Sequence, residues 1–270
     1  MHAPLTWRNG PVDSAPNVGL HEAFAEMAAS RPDRIAIRSS TVSLTYAQLD
    51  ARANACAEAL QRQGVEHGSV VAILLPRSVE LVVALLGVLK CGAAYAAPDP
   101  SWPDGRIEEA LAVMAARHVI SRRGLSAHAT WFIEDAPTTP GPGFRHAHTN
   151  GDEAAAVLFT SGTSGGPKCV RTTHRAMLRL CRDNSLFRME VPRTVPLAAP
   201  PAWDMFGLEL WGALLSGGTS VVVSDPFLSA AALREGVARH GVDAVWLTTS
   251  LFNLLVDDDI DSFDGLAEVR

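Results

Sequence analysis

Residues 70–75 read VVAILL, six apolar side chains in a row between a Gly-Ser turn and Pro76. No alternation marks a wet face, so an extended segment here must be covered on both sides. That demand excludes a sheet with one solvated face and asks for helices packed on both. The rest of the chain supplies them. Thr45 and Gln48 form a capping box, and Leu49, Ala53, Cys56, Ala57 and Leu60 then fall on one helical face up to Gly64. Residues 78–90 read as a helix stopped by Gly92, 93–97 as a strand before a Pro-Asp-Pro turn, and 106–117 as a helix before a short strand at 119–120. Leu20, Phe24 and Met27 make a short helix face ending near Pro32, and 35–38 with 43–45 suggest a strand pair. Further on, strands are expected at 155–159, 169–172, 220–223 and 244–247. Helices are expected from His174, at 206–215, 230–240 and 251–255. The fold class implied is α/β, with mainly parallel sheets flanked by helices.

The expected organisation is an irregular arm at 1–18, a first α/β subdomain at 19–134, a Pro/Gly/Thr/His-rich linker at 135–152 and a second α/β subdomain at 153–270. Composition narrows the function. The 270 residues are 47% hydrophobic and 19% charged, enough apolar material for a sizeable core. A net charge of −6 gives no reason to expect a nucleic-acid surface. The apolar stretch at 70–98 is interrupted by Arg77, Glu80 and Lys90, so it is not a membrane span, and the N-terminus has no basic-then-apolar leader. Cys56, Cys91, Cys169 and Cys181 are widely spaced, fit no metal pattern and read as reduced thiols, which suggests a cytoplasmic location. Apart from His174, the histidines form no metal-like set, and no metal site is expected.

The segment LFTSGTSGGPK (158–168) carries the chemistry. It sets the hydroxyls of Thr160, Ser161, Thr163 and Ser164 among Gly162, Gly165 and Gly166, and closes on Lys168. Glycines let backbone N–H groups turn towards an anion, hydroxyls add donors, and lysine adds a mobile charge suited to phosphate. The segment is not a Walker loop, because Pro167 precedes the lysine, Cys169 follows it, and an extended stretch rather than a helix comes next. The competing reading is a plain Gly/Ser/Thr turn between two strands, with Lys168 a solvated surface lysine.

This segment resembles the signature loop of adenylate-forming enzymes. Four others resemble the family's motifs in the family's order: LTYAQLDARANACAEAL (44–60), LKCGAAYAAPDPSWPDGRI (89–107), AWDMFGLELWGALLSGG (202–218) and AVWLTTSLFNLL (244–255). The match is strongest to the adenylation domains of nonribosomal peptide synthetases. It implies the large N-terminal subdomain of that fold. It also implies the activity: ATP-dependent activation of an amino acid as an aminoacyl-adenylate, later passed to a carrier-protein thiol. ATP and Mg²⁺ are the implied cofactors. The implied partners are an amino acid, a phosphopantetheine-bearing carrier protein and a small accessory protein. Two alternatives stay open: an aryl- or acyl-activating ligase of the same superfamily, and a non-catalytic nucleotide-binding module.

Position by position, the resemblance gives Thr160, Ser161, Gly162, Thr163, Ser164, Gly165 and Lys168 the phosphate-binding role, with Thr160, Thr163 and Lys168 catalytic. It gives Asp204 the substrate ammonium, and Met205, Leu208, Trp246 and Trp203 the pocket. Without it, Asp204 reads as a helix N-cap, and Met205, Leu208 and Trp246 as ordinary core. Glu209 is either a helix-surface or a buried paired carboxylate. His174 is either near the ligand or a plain helix-start histidine, and Asp99, Trp102, Pro103 and Arg106 read as packing and turn chemistry. The chain departs from the pattern at Cys169, where glycine is usual, and at Thr249, where proline is usual. The family's later motifs do not occur before Arg270, so the segment reads as the N-terminal half of an adenylation domain.

Overall fold

The computed structural model describes residues 17–122, 129–141, 144–160, 168–182 and 191–270. The helices are α1 (Leu20–Ser30), α2 (Tyr46–Arg62), α3 (Val79–Lys90), α4 (Asp104–Val113), α5 (His174–Arg182), α6 (Asp204–Leu215), α7 (Ala230–His240) and α8 (Thr249–Asp259). The strands are β1 (Ile35–Arg38), β2 (Ser43–Thr45), β3 (Val70–Leu74), β4 (Ala94–Ala96), β5 (His118–Ser121), β6 (Ala129–Phe132), β7 (Ala154–Thr160), β8 (Lys168–Thr173), β9 (Thr194–Leu197), β10 (Thr219–Val222), β11 (Ala244–Val245) and β12 (Glu268–Val269). A six-stranded sheet runs β6-β5-β3-β4-β7-β8, parallel except for the β7–β8 hairpin. A four-stranded sheet runs β2-β1-β10-β9, antiparallel only at β1–β2, and β11 pairs in parallel with β12.

β3 shows why its sequence had to be apolar throughout. Val71 and Ile73 enter the main core, while Ala72 and Leu74 enter a second cluster with Ile107, Leu111 and Met114 around α4. Successive side chains point to opposite faces, and both faces are covered. All of α3 except Glu80 in its first turn is buried. It belongs to a helical layer with α1, α2 and α6 whose core residues reach both large sheets, from Ile73 and Tyr95 on one to Ile37, Leu197 and Val222 on the other.

Local signals hold the helices where the sequence puts them. Thr45 Oγ1 accepts from Gln48 N at 3.2 Å and Gln48 Oε1 from Thr45 N at 2.9 Å. Ser78 caps α3 through Leu81 N at 3.1 Å. Gly92 has φ +73, and a Cβ there would collide with the His67 ring, so both backbone and space require glycine. Thr249 is the first residue of α8 behind the Thr248 cap, a position where proline and threonine are both tolerated, so that departure costs the fold nothing visible.

Some expectations need correction. The helix read at 106–117 is α4, shifted to Asp104–Val113, because Ala115 adopts φ 53 and ends it. The helix read at 251–255 extends over Thr249–Asp259, and the strand read at 244–247 is only Ala244–Val245. The segment 135–152 is not a break between two units. β4 pairs with β7 across it, and β1 with β10, so each large sheet draws strands from both halves. The segment is a strap fixed by its backbone: Ala147 N donates to Lys90 O at 2.8 Å and Gly141 N to Glu58 Oε2 at 2.6 Å. Of the expected arm, residues 1–16 lie outside the described residues. Among the described residues, no helix is long and apolar enough to cross a membrane.

Polar contacts are also buried in the helical layer. Tyr46 Oη lies 2.9 Å from Leu214 O and 2.8 Å from Gly218 O, tying the start of α2 to the end of α6. Lys90 is fully buried, and its ammonium pairs with Asp50 Oδ1 at 2.8 Å. Burial pulls the lysine below its ordinary range, and Asp50 opposes that shift. Asp50→Ala strands the ammonium and is expected to cost roughly 3–5 kcal/mol of unfolding free energy. Adding Lys90→Met should restore most of it. Urea denaturation of the two variants measures this, and an Asp50→Ala protein of unchanged midpoint would remove the pair from the fold's supports.

Candidate functional site

The signature segment spans a hairpin. Register fixes Thr160 opposite Lys168, Phe159 opposite Cys169 and Leu158 opposite Val170, so β7 and β8 hold the two ends of the motif face to face. Ser161, Gly162, Thr163, Ser164 and Gly165 lie outside the described residues, and Thr160 is described only as the last backbone position of β7. Lys168 is exposed at the start of β8. Cys169 is partly buried against the second core cluster, where burial pushes its thiol up. A side chain in the usual glycine's place therefore packs inward from the strand. Trp102 meets Phe159 edge to face at 5.8 Å, and the Arg106 guanidinium lies 4.2 Å from the Trp102 ring centre. Asp99 Oδ1 accepts from Ser101 N at 2.9 Å. These residues do the packing and turn chemistry expected of them, beside the end of β7.

α6 brings the second group. Trp203 occupies its N-cap position without a side-chain capping bond, and Asp204 is the first helical residue. The Asp204 carboxylate accepts from Met205 N at 2.8 Å and is exposed. It is therefore not the N-cap of α6, although a negative charge in a first helical turn is still favourable.

Trp203 and Asp204 border a small cleft. Its other walls are Leu158 and Thr172 from the hairpin stem, Ala176, Met177, Leu180 and Cys181 from α5, Tyr95 from β4, and Phe206 and Gly207 from α6. The lining is apolar apart from Thr172, Tyr95, Asp204 and the thiol. Met205, Leu208 and Trp246 do not line this cleft. They pack in an adjoining cluster with Val195, Ala213 and Ala244. Leu180 belongs to both, so that cluster backs the cleft wall. Tyr95 and Phe206 lie within motif segments without an expected site role, and Met177 lies outside them; non-local pairing and helix packing bring all three to the cleft.

Glu209 is the buried alternative, with backbone rather than a cation as its direct partner. Its Oε2 accepts from Ala198 N and Ala199 N, each at 2.8 Å. Burial pushes this carboxyl up to about 7, against the pull of the two donors and of nearby Arg77. Arg77 in turn donates to Val223 O at 2.9 Å and to the carbonyl of Asp225. Glu209 thus pins the turn leaving β9, which delivers Trp203 and Asp204 to the cleft. An acidic residue in an otherwise apolar helix is the only trace of this in the sequence. His174 is buried, its Nδ1 accepts from Leu20 N at 3.1 Å, and burial lowers it to about 4. It joins α5 to α1, and it is absent from the cleft lining.

The AMP-binding enzyme family model matches residues 24–268. A linear gramicidin synthase of Brevibacillus parabrevis is 34% identical over 258 residues, which is 92% of this chain and 3% of that protein. Holo-PA1221, an NRPS protein containing adenylation and PCP domains bound to a vinylsulfonamide inhibitor, superposes with TM-score 0.88 at 31% identity over 97% of this chain and 46% of its own. The Klebsiella oxytoca NpsA N-terminal subdomain in complex with anthranilyl-AMSN gives TM-score 0.85 at 25% identity, covering 94% of this chain and 67% of that one. The chain spans only a few per cent of the length of the gramicidin synthases that it matches. With most of its length matched by that model, the chain belongs to the AMP-binding enzyme family, and its fold is that of the N-terminal subdomain of nonribosomal peptide synthetase adenylation domains.

Proposed function

We propose that this chain forms the ATP- and amino-acid-binding part of an enzyme that activates an amino acid as its aminoacyl-adenylate for loading onto a carrier-protein thiol. One observation supports this above the others: the stem of the signature hairpin and the first turn of α6 border the same cleft, with the Asp204 carboxylate at its edge. In the proposed reaction the substrate's carboxylate attacks the α-phosphorus of ATP, the mixed anhydride forms, and pyrophosphate leaves. No side-chain nucleophile is needed. The protein's contribution is placement of two reactants and neutralisation of charge on the departing phosphates.

Each residue then has a role. Asp204 pairs with the substrate ammonium, a charge-assisted contact that discriminates against acids lacking one. Trp203 flanks it, and the apolar walls receive the side chain. Met205, Leu208 and Trp246 act from the adjoining cluster, setting the shape of the wall they back. Ser161, Gly162, Thr163, Ser164 and Gly165, with Thr160 and Lys168 at the hairpin ends, hold the β and γ phosphates together with Mg²⁺. The described ends of the motif fit this role, since a solvent-facing lysine and the last residue of β7 stand opposite one another. The carrier-protein thiol takes the aminoacyl group in a later step.

Three outcomes are expected. The 270-residue chain alone should not sustain amino-acid-dependent pyrophosphate exchange, because the motifs completing the reaction are absent from it, and robust exchange would refute that. The chain should bind one member of a panel of aminoacyl sulfamoyl-adenosines in calorimetry, with Asp204→Ala weakening that member at least tenfold and AMP hardly at all. Equal loss of both ligands would remove Asp204 from the ammonium site, and tighter binding of aryl or acyl analogues would favour an acid-activating ligase. In a polypeptide carrying the remaining motifs, Lys168→Ala should slow exchange by roughly 10²-fold, the scale of one lost charge-stabilising contact. An unaffected rate would count against the phosphate cradle.

A further inference from the structure

The sequence scatters its histidines, with His21 and His146 separated by 125 positions. The fold brings them together, contrary to the expectation that they form no metal-like set. His21, in the first turn of α1, is fully buried, and its Nε2 lies 2.9 Å from Ala147 O. A carbonyl can only accept, so Nε2 carries the proton and Nδ1 of the neutral ring offers a bare lone pair. That Nδ1 has no partner among the described residues.

Two further groups lie beside this ring, and His146 Nδ1 is 3.2 Å from the same Ala147 carbonyl, which leaves its Nε2 as the free donor. A Cβ built on Gly19 would meet His21 Nδ1 at 2.9 Å and Glu22 Oε2 at 3.1 Å, so both atoms face one small space that only glycine leaves open. The His146 ring meets the His21 ring edge to face at 5.3 Å. One donor atom from each of His21, Glu22 and His146 lies within 4.8 Å of the others. Glu22 Oε2 accepts from Gly19 N at 2.6 Å, and Oε1 lies 2.7 Å from His148 Nδ1.

We infer that His21 Nδ1, a Glu22 carboxylate oxygen and a ring nitrogen of His146 form a binding site for a divalent transition cation of the zinc class, open to solvent at its fourth position. Two imidazoles and one carboxylate are the donor set that suits zinc rather than calcium or magnesium. The supporting contacts are those metal-binding histidines and carboxylates use: the Ala147 carbonyl fixes the tautomer and angle of His21, and Gly19 N with His148 fixes Glu22. The α1 dipole opposes a cation at this end, and the Glu22 charge offsets it. Zn–N bonds of about 2.0–2.1 Å require the donors to close in, and exposed His146 is the one with room to move. Bound metal would staple α1 to the strap, directly behind His174, whose ring lies 6.0 Å from that of His21 and which begins the cleft-lining helix α5.

The test is titration of the chelator-treated chain with Zn²⁺ against a chromophoric competitor, with thermal unfolding in parallel. One-to-one binding and a melting temperature raised by several degrees at saturation are expected, since metal held only by the native state stabilises it. Mg²⁺ and Ca²⁺ should do neither. His146→Ala changes an exposed side chain, so the metal-free protein should melt as before while Zn²⁺ affinity falls at least tenfold. His146→Gln serves if that variant does not fold. His67→Ala, whose ring pairs with Glu153 and is not one of the three donors, should bind as the parent does. Absence of one-to-one binding, or equal affinity in the His146 variant and the parent, overturns the assignment.

Discussion

The burial of all of α3 but Glu80 is the constraint around which the rest of this molecule is arranged. A helix with no polar face cannot lie on a surface, so it must be enclosed. Here α3 belongs to a helical layer whose core residues reach both large sheets. Enclosure from both sides needs strands from distant parts of the chain, and both sheets are built that way. β7 and β8 complete the six-stranded sheet, and β9 and β10 complete the four-stranded one. A chain cut at the strap would leave each sheet short of strands.

Polar groups inside that layer are few, and the largest are paired. Lys90 meets Asp50, Tyr46 reaches the carbonyls at the end of α6, and Trp211 Nε1 donates to Tyr95 Oη at 3.1 Å. Glu209 receives two backbone N–H groups where β9 ends. Buried polar groups of this kind add little net stability, because their desolvation offsets much of the gain. They fix geometry instead. Glu209 and Arg77 set the path from β9 to α6, and with it the position of Asp204.

The cleft follows from these two facts. Tyr95 and Trp211 couple the six-stranded sheet to α6 inside the core, and the hairpin stem and the first turn of α6 emerge on the same side of it. The proposed chemistry needs two binding groups within reach of one another. The rigid layer makes the juxtaposition of the hairpin stem and the first turn of α6 a property of the fold.

The sequence by itself determined most of the elements and the family. The unbroken apolar run of β3, the Thr45–Gln48 box and the stop at Gly92 each encode their structure locally, through hydrogen bonds and backbone angles within a few residues. The family was legible for the same reason, as contiguous strings. Tertiary structure decided what depends on distant partners. It made the 135–152 strap part of one body, because strand pairing crosses it. It buried Glu209 against the backbone, placed Met205, Leu208 and Trp246 behind the cleft wall, and brought Tyr95 and Met177 to the cleft. It also gathered His21, Glu22 and His146. Their separation along the chain carries no signal, since only the packing of α1 against the strap sets the distance between them.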